Sequence, residues 1–241
     1  MTEESQPTHA PIERVLVVMA HPDDAEFSCG ATVSQWTSQG VSVAYVVLTG
    51  GDKGNHDPAV TIPNLVERRM QEQRAAAALL GVTEVHFMGE EDGFLQPTRE
   101  LRKRLVRIIR QFRPDIVICQ NPETHFWGDS YINHPDHRNA GAATLEAIFP
   151  AAGNLMFFPD LLAEGLQPHS IRELWLSMVD GPNHEVDITD LLDVKIAALR
   201  QHVSQFDDLD EMEKWLRERW GKAGPDHEIR FYESFKRMWF D

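Results

Sequence analysis

With 241 residues, 42% of them hydrophobic and 25% charged, the chain can bury a sizeable core and has the make-up of an ordinary globular protein. Its formal net charge of −15, from 38 acidic against 23 basic residues, argues against nucleic acid and anionic membrane surfaces as partners. The two cysteines, Cys29 and Cys119, lie in apolar surroundings without a Cys-x-x-Cys neighbour, which excludes a disulfide scaffold and reads as reduced core thiols.

Residues 1–12 read as a disordered leader, polar and lacking the basic and apolar regions of a signal peptide. No stretch reaches the roughly 18 apolar residues of a membrane span, so a cytoplasmic protein is expected, with one domain over 13–241. VLVVMA (15–20) is a continuous apolar run of the kind found in buried parallel strands. A helix is predicted from about Ala25 to Gln39, stopped by Gly40, and VSVAYVVL (41–48) is the second strand. After the glycine-rich TGGDKGN comes a helix from about Asn64 to Leu80, then EVHFM (84–88) as a third strand. A helix over Arg99–Phe112, DIVICQ (115–120) as a fourth strand and a helix from HPDH (134–137) to Phe149 follow. LMFF (155–158) and ELWLSMV (173–179) read as further strands. The part from 189 to 241 reads as mostly helical: Thr189–Gln205, Asp210–Trp220 and a closing segment through Trp239. The alternation predicts an α/β fold: a doubly wound, mostly parallel sheet with helices on both faces and a helical C-terminal extension.

Ligands of doubly wound folds bind at the carboxyl ends of strands, where the strand order reverses. A dinucleotide fold places glycines after the first strand so that backbone amides approach phosphate. This chain places His21, Pro22, Asp23, Asp24 and Glu26 there, an imidazole and three carboxylates that repel phosphate and suit a divalent cation. A helix N-terminus accounts for one aspartate through the macrodipole, but not for His21 and paired carboxylates together. Beyond the fourth strand stands Tyr131-Ile-Asn-His134-Pro-Asp136-His137. Pro135 suits the first helical position, which puts His134 at the N-cap and His137 three residues on, near it on one side of the first turn. In the strand order 3-2-1-4-5, strands one and four are neighbours, so the two clusters face one crevice.

These stretches resemble the LmbE / PIG-L family of de-N-acetylases: the AHPDDAE run, TGGDKGN, Arg69-x-x-Glu72 before AAAALLGV, NHPDH, and His202-Val-Ser-Gln205. The resemblance implies a Rossmann-like fold with one zinc per chain, held by His21, Asp24 and His137. It implies Asp23 as general base, His134 as the group that stabilises the oxyanion and protonates the amine, and Asp136 as its orienting partner. Arg69 and Asp92 are implied as sugar-holding residues, and the substrate as a small N-acetylated sugar conjugate. Members often assemble, which allows a homo-oligomer. Some carry a tyrosine two residues before the first histidine of HPDH; here Ile132 stands there and the tyrosine is Tyr131.

The chemistry agrees with the residue types. Three protein ligands on zinc leave a position for water and lower its pKa toward about 7. Asp23 is placed to take the water proton, and His134, as imidazolium, to meet the oxyanion. Asp136 suits the orienting role and a plain helix N-terminal acid equally. Iron(II) fits the same ligands. His125, near the predicted crevice, is a substrate contact; His202 lines the pocket on resemblance, and His86 is a core or edge residue of its strand. His9 and His56 fall in loops, and His169, His184 and His227 on the surface. The arginines of 99–112 read as a solvated face, and Trp215, Trp220 and Trp239 as packing for the C-terminal helices or a subunit contact. The competing readings are an amidase acting on another small conjugate, such as a thiol conjugate, a nucleotide-binding module, and a metal-binding protein without catalysis.

Overall fold

The computed structural model describes residues 10–127, 129–223 and 228–240; most of the predicted leader, with His9 and His227, lies outside them. Its first strands are β1 (Arg14–Met19), β2 (Ser42–Thr49), β3 (Glu84–Glu90) and β4 (Ile116–Gln120). Between them run α1 (Asp24–Ser38), α2 (Ile62–Leu79) and α3 (Arg99–Phe112). A short hairpin, β5 (Phe126–Trp127) with β6 (Tyr131–Ile132), precedes α4 (Pro135–Glu146), which passes into a π-turn over Ala147–Ala152. Then come α5 (Pro159–Ala163), β7 (Glu173–Ser177), β8 (His184–Asp187), α6 (Leu192–Leu199), α7 (Leu209–Trp220), β9 (Lys222–Ala223), β10 (Ile229–Arg230) and β11 (Tyr232–Trp239).

The main sheet has the order β3-β2-β1-β4-β7-β11-β8. Its first five strands are parallel, in the expected 3-2-1-4-5 arrangement, and β11 is antiparallel to both neighbours. β1, β2, β4 and β7 are buried on two faces, which is why these segments read as apolar runs, while β3 at the sheet edge is only half-buried. In β1, Leu16 and Val18 pack with Leu105, Ile109 and Ala143 of α3 and α4, while Val15 and Val17 pack with Val33 and Ala76 of α1 and α2. Both cysteines are free and buried. Among the described residues no helix is long and apolar enough to cross a membrane.

The predicted closing helix is instead β11, a correction with a visible cause. Glu233 and Phe235 alternate with more exposed neighbours, the period of a strand. The fully buried Glu233 meets Lys195 and accepts the N–H groups of Ala31 and Thr32 at 3.0 and 2.8 Å. It thereby caps the second half of α1, which breaks at Cys29. LMFF is not a strand: the Asn154 side chain accepts the Met156 N–H at 2.8 Å, turning the chain, and Leu155 and Met156 are exposed. The helix predicted to Gln205 stops at Leu199. Arg110 departs from the solvated face of α3; it is buried and donates to the carbonyls of Ala151, Ala152, Asn154 and Phe157. Trp220 packs with α6 and α7, whereas Trp239 is half-exposed on β11. His86 lies on edge strand β3, and His169 and His184 are half-buried rather than on the surface.

Candidate active site

β1 ends at Met19, and the chain turns through His21 and Pro22 into α1. Asp23 takes the helix N-cap in the left-handed region, φ 94° and ψ −27°, uncommon for any residue but glycine. Asp24 opens the helix. Across the crevice His134 caps α4, its Nδ1 accepting the Asp136 N–H at 3.2 Å, with Pro135 at the first helical position.

Three side chains converge between these turns. His21 Nδ1 lies 3.3 Å from Asp24 Oδ2 and 3.2 Å from His137 Nε2, and His137 Nε2 lies 3.2 Å from Asp24 Oδ1. A tetrahedron with zinc–ligand bonds of about 2.0 Å has edges of about 3.3 Å. The rings are set from behind. Asn133 donates Nδ2–H to the Thr124 carbonyl at 2.7 Å, so its Oδ1 accepts the Nδ1–H of His137 at 3.0 Å. That leaves His137 Nε2 a lone pair. His21 Nε2–H points at Asp92 Oδ1 and Asp136 Oδ2, at 3.1 and 3.3 Å, which leaves Nδ1 its lone pair. Two imidazole lone pairs and a carboxylate thus face one small space and repel unless a cation or proton lies among them. The donor set fits a divalent cation.

The electrostatics follow this crowding. Burial opposes charge on His21, but bonds to Asp136, Asp24 and Asp92 outweigh it and lift its pKa well above the ordinary value. Burial likewise pushes Asp24 up, yet His137 and His21 hold its carboxyl well below the usual range. Asp24 Oδ2 also accepts from the His21 N–H at 2.8 Å and from Gln120 Nε2 at 2.9 Å. Against the desolvation of Asp92, His21 and the Lys53 N–H bring that carboxyl down to about 2. For Asp23 burial wins: with Asp24 adjacent, it outweighs the Arg69 guanidinium 3.3 Å away and pushes the carboxyl up to about 6.

Several predicted residues sit differently from their expected roles. The Asp136 carboxylate goes to His21 and to the N–H groups of Gly93 and Leu95, at 2.7 and 3.2 Å, not to the His134 ring. The main chain of Asp136 sets the His134 tautomer. Burial and the neighbouring His21 lower the pKa of His134, which makes it a neutral ring with Nε2–H, rather than an imidazolium. Arg69 is buried, donating to Gly51 O, Pro22 O and Asp23. A Cβ at Gly51 would come within 2.1 Å of its Nη1, which explains the glycine-rich loop wrapped around it. Asp92 faces His21. His125 is exposed, with Nδ1 on the Glu123 carbonyl at 3.0 Å, outside the cluster. His202 is fully buried and lines no open surface. Ile132 is 75% exposed, while Tyr131 feels the site: burial, then the Asp24 charge, raises its hydroxyl pKa. The sequence reading missed Gln120, Asn133 and Gln73, whose amides hold Asp24, His137 and Asp23. The only signal was position: Gln120 closes a buried strand, and Asn133 stands one helical turn before His137.

The family described as PIG-L, GlcNAc-PI de-N-acetylase, matches residues 16–148. This chain belongs to the PIG-L family. It is 39% identical over 204 residues to a diacetylchitobiose deacetylase of Thermococcus kodakarensis, covering 85% of this chain and 74% of the relative. A probable N-acetyl-alpha-D-glucosaminyl L-malate deacetylase 2 of Bacillus anthracis is 29% identical, covering 80% of this chain and 81% of the relative. Among solved structures, the N,N'-diacetylchitobiose deacetylase of Pyrococcus horikoshii, bound to its inhibitor MPG, superimposes with a TM-score of 0.85. Its sequence is 34% identical, with 94% of this chain and 84% of that one covered.

Asn133→Leu leaves the His137 Nδ1–H unpaired and frees the ring to flip, so metal affinity is expected to fall about 10- to 100-fold, as for other supports of metal-ligating histidines. Competition with a chromogenic chelator measures it; an unchanged affinity would show that Asn133 does not orient the ligand.

Proposed function

We propose that the protein is a metal-dependent hydrolase that removes the acetyl group from a small conjugate of N-acetylglucosamine, with zinc held by His21, Asp24 and His137. The observation that carries this reading is the convergence of three metal-ready donors, flanked by a carboxylate with a raised pKa and a neutral imidazole N–H. The named activities of the relatives supply the substrate class. A divalent cation, when bound, supplies Lewis acidity toward the amide carbonyl and acidifies water.

The chain's own residues do the rest. Asp23 Oδ accepts the proton of the attacking water, for which a carboxyl near 6 is well matched at neutral pH. His134 Nε2–H donates a hydrogen bond to the carbonyl oxygen as it gains charge. Because His134 is neutral, the proton that reaches the leaving amine is the one Asp23 took, so Asp23 serves as base and then as acid. Asp92 and Asp136 keep the His21 ring in register.

The test is primary-amine release from N-acetylglucosamine, N,N'-diacetylchitobiose and related amides, using zinc-loaded or iron(II)-loaded protein beside Asp23→Ala. Release by the wild type and not by the variant is expected. Protein holding one equivalent of metal that releases no amine from any acetylated amino sugar would sink the reading.

A further inference from the structure

Behind Asp23 lies a run of buried polar side chains to which the proposed reaction gives no part. The Asp23 N–H, in its left-handed conformation, donates to Gln73 Oε1 at 2.9 Å. Gln73 is fully buried on α2 and donates Nε2–H to Glu26 Oε1 at 2.9 Å, which fixes the end of the amide that meets Asp23. The second oxygen of Glu26, fully buried on α1, accepts from His202 Nε2 at 3.2 Å. His202 comes from the turn after α6, and that turn also fastens α2: the Ser204 N–H and hydroxyl donate to Glu72 at 3.0 and 2.6 Å. Side chains from three separated segments therefore form one chain of hydrogen bonds ending on a single backbone amide. Apolar groups of equal volume would pack these segments without desolvating a carboxylate or leaving His202 Nδ1 buried with no partner among the described residues.

We propose that Gln73, held in place by Glu26 and His202, is a positioning residue for Asp23. Its hydrogen bond keeps the residue at φ 94°, a conformation an aspartate leaves readily unless its surroundings hold it. With the N–H released, the backbone relaxes and the carboxylate swings from the place where Arg69 now meets it. The proposal rests on the reading of Asp23 as the proton acceptor.

Gln73→Met keeps length and bulk while losing the strong acceptor. Its kcat is expected to fall about 10- to 100-fold, the cost of misplacing a reacting group by about an ångström, while KM stays within about twofold. Bound metal should remain at one equivalent, and the Asp23 amide should exchange with solvent faster. In the Asp23→Asn background the same substitution should change kcat by less than about twofold, since its effect runs through the lost carboxylate. Glu26→Gln, which can still accept from Gln73 and donate to a neutral His202, should keep most activity where Glu26→Met does not. Wild-type kcat in Gln73→Met, or an equal loss in both backgrounds, overturns the positioning role. If Gln73→Met does not fold, the Glu26→Gln and Glu26→Met pair decides: equal rates overturn the proposal. A fully active Asp23→Asn overturns the base assignment itself, an outcome distinct from failure of Gln73 alone.

Discussion

Asp24→Ala is expected to purify without bound metal and to lose at least about 10³-fold in turnover. Loss of the metal removes several kcal/mol of charge stabilisation at the carbonyl, and about 1.4 kcal/mol equals a tenfold rate change. Asp24 is the one anion among the three converging donors, and both of its oxygens are engaged. Without it, two imidazole lone pairs remain 3.2 Å apart and lose the one carboxylate that meets both of them. His137→Ala should behave alike. The pH dependence of metal binding follows from His21. Its raised pKa means that, without metal, a proton occupies the space among the donors near neutrality. Metal must displace that proton, so affinity should rise with pH until the His21 pKa is passed. Metal analysis after dialysis, with chelator competition at several pH values, measures both effects. Full stoichiometry in Asp24→Ala would remove Asp24 from the ligand set.

The parts of this site that were legible in the sequence carry their chemistry in the residue type and stand at strand ends. His21, Asp24 and His137 could be placed in one crevice because β1 and β4 announce themselves as apolar runs, and because their order in a doubly wound sheet is nearly fixed. What supports them was not legible. Gln120, Asn133 and Gln73 are amides that resemble any surface residue until burial and direction are known. Asp136 was visible, but not the direction of its carboxylate: a residue next to His134 in sequence serves His21, 115 positions away. The resemblance implies Arg69 as a sugar-holding residue, yet Gly51 and Gly54 wrap it so that its donors end on Pro22, Asp23 and Gly51. At the C-terminus, preceding helices lent a helical look to YESFKRMW. Its strand is fixed by Glu233, whose partners in α1 and α6 are far away in sequence.

Asp23→Asn is expected to keep one equivalent of metal, lose about 10²- to 10⁴-fold in turnover, and yet make the metal-free protein more stable at neutral pH. The first two effects follow from its place. Asp23 is not among the converging ligand atoms, so metal retention does not need it, while asparagine accepts no proton from water. The third follows from linkage. Burial raises the folded-state carboxyl to about 6, above the ordinary aspartate value of about 3.9. A carboxyl raised on folding stabilises the fold fully below the unfolded pKa, and that contribution is lost as pH rises through the folded one. The metal-free variant should therefore match the wild type most closely near pH 4, and gain on it up to about pH 6, where the difference levels off. Paired thermal melts of the metal-free proteins from pH 4 to 8 measure this gain. Bound cation should shrink it, because the cation favours the ionised carboxylate. A variant less stable than wild type at neutral pH would mean that the Asp23–Arg69 pair outweighs the desolvation of the carboxylate. The same group would then owe its position to the ion pair, and the hydrogen bond from its backbone to Gln73 would have less to hold.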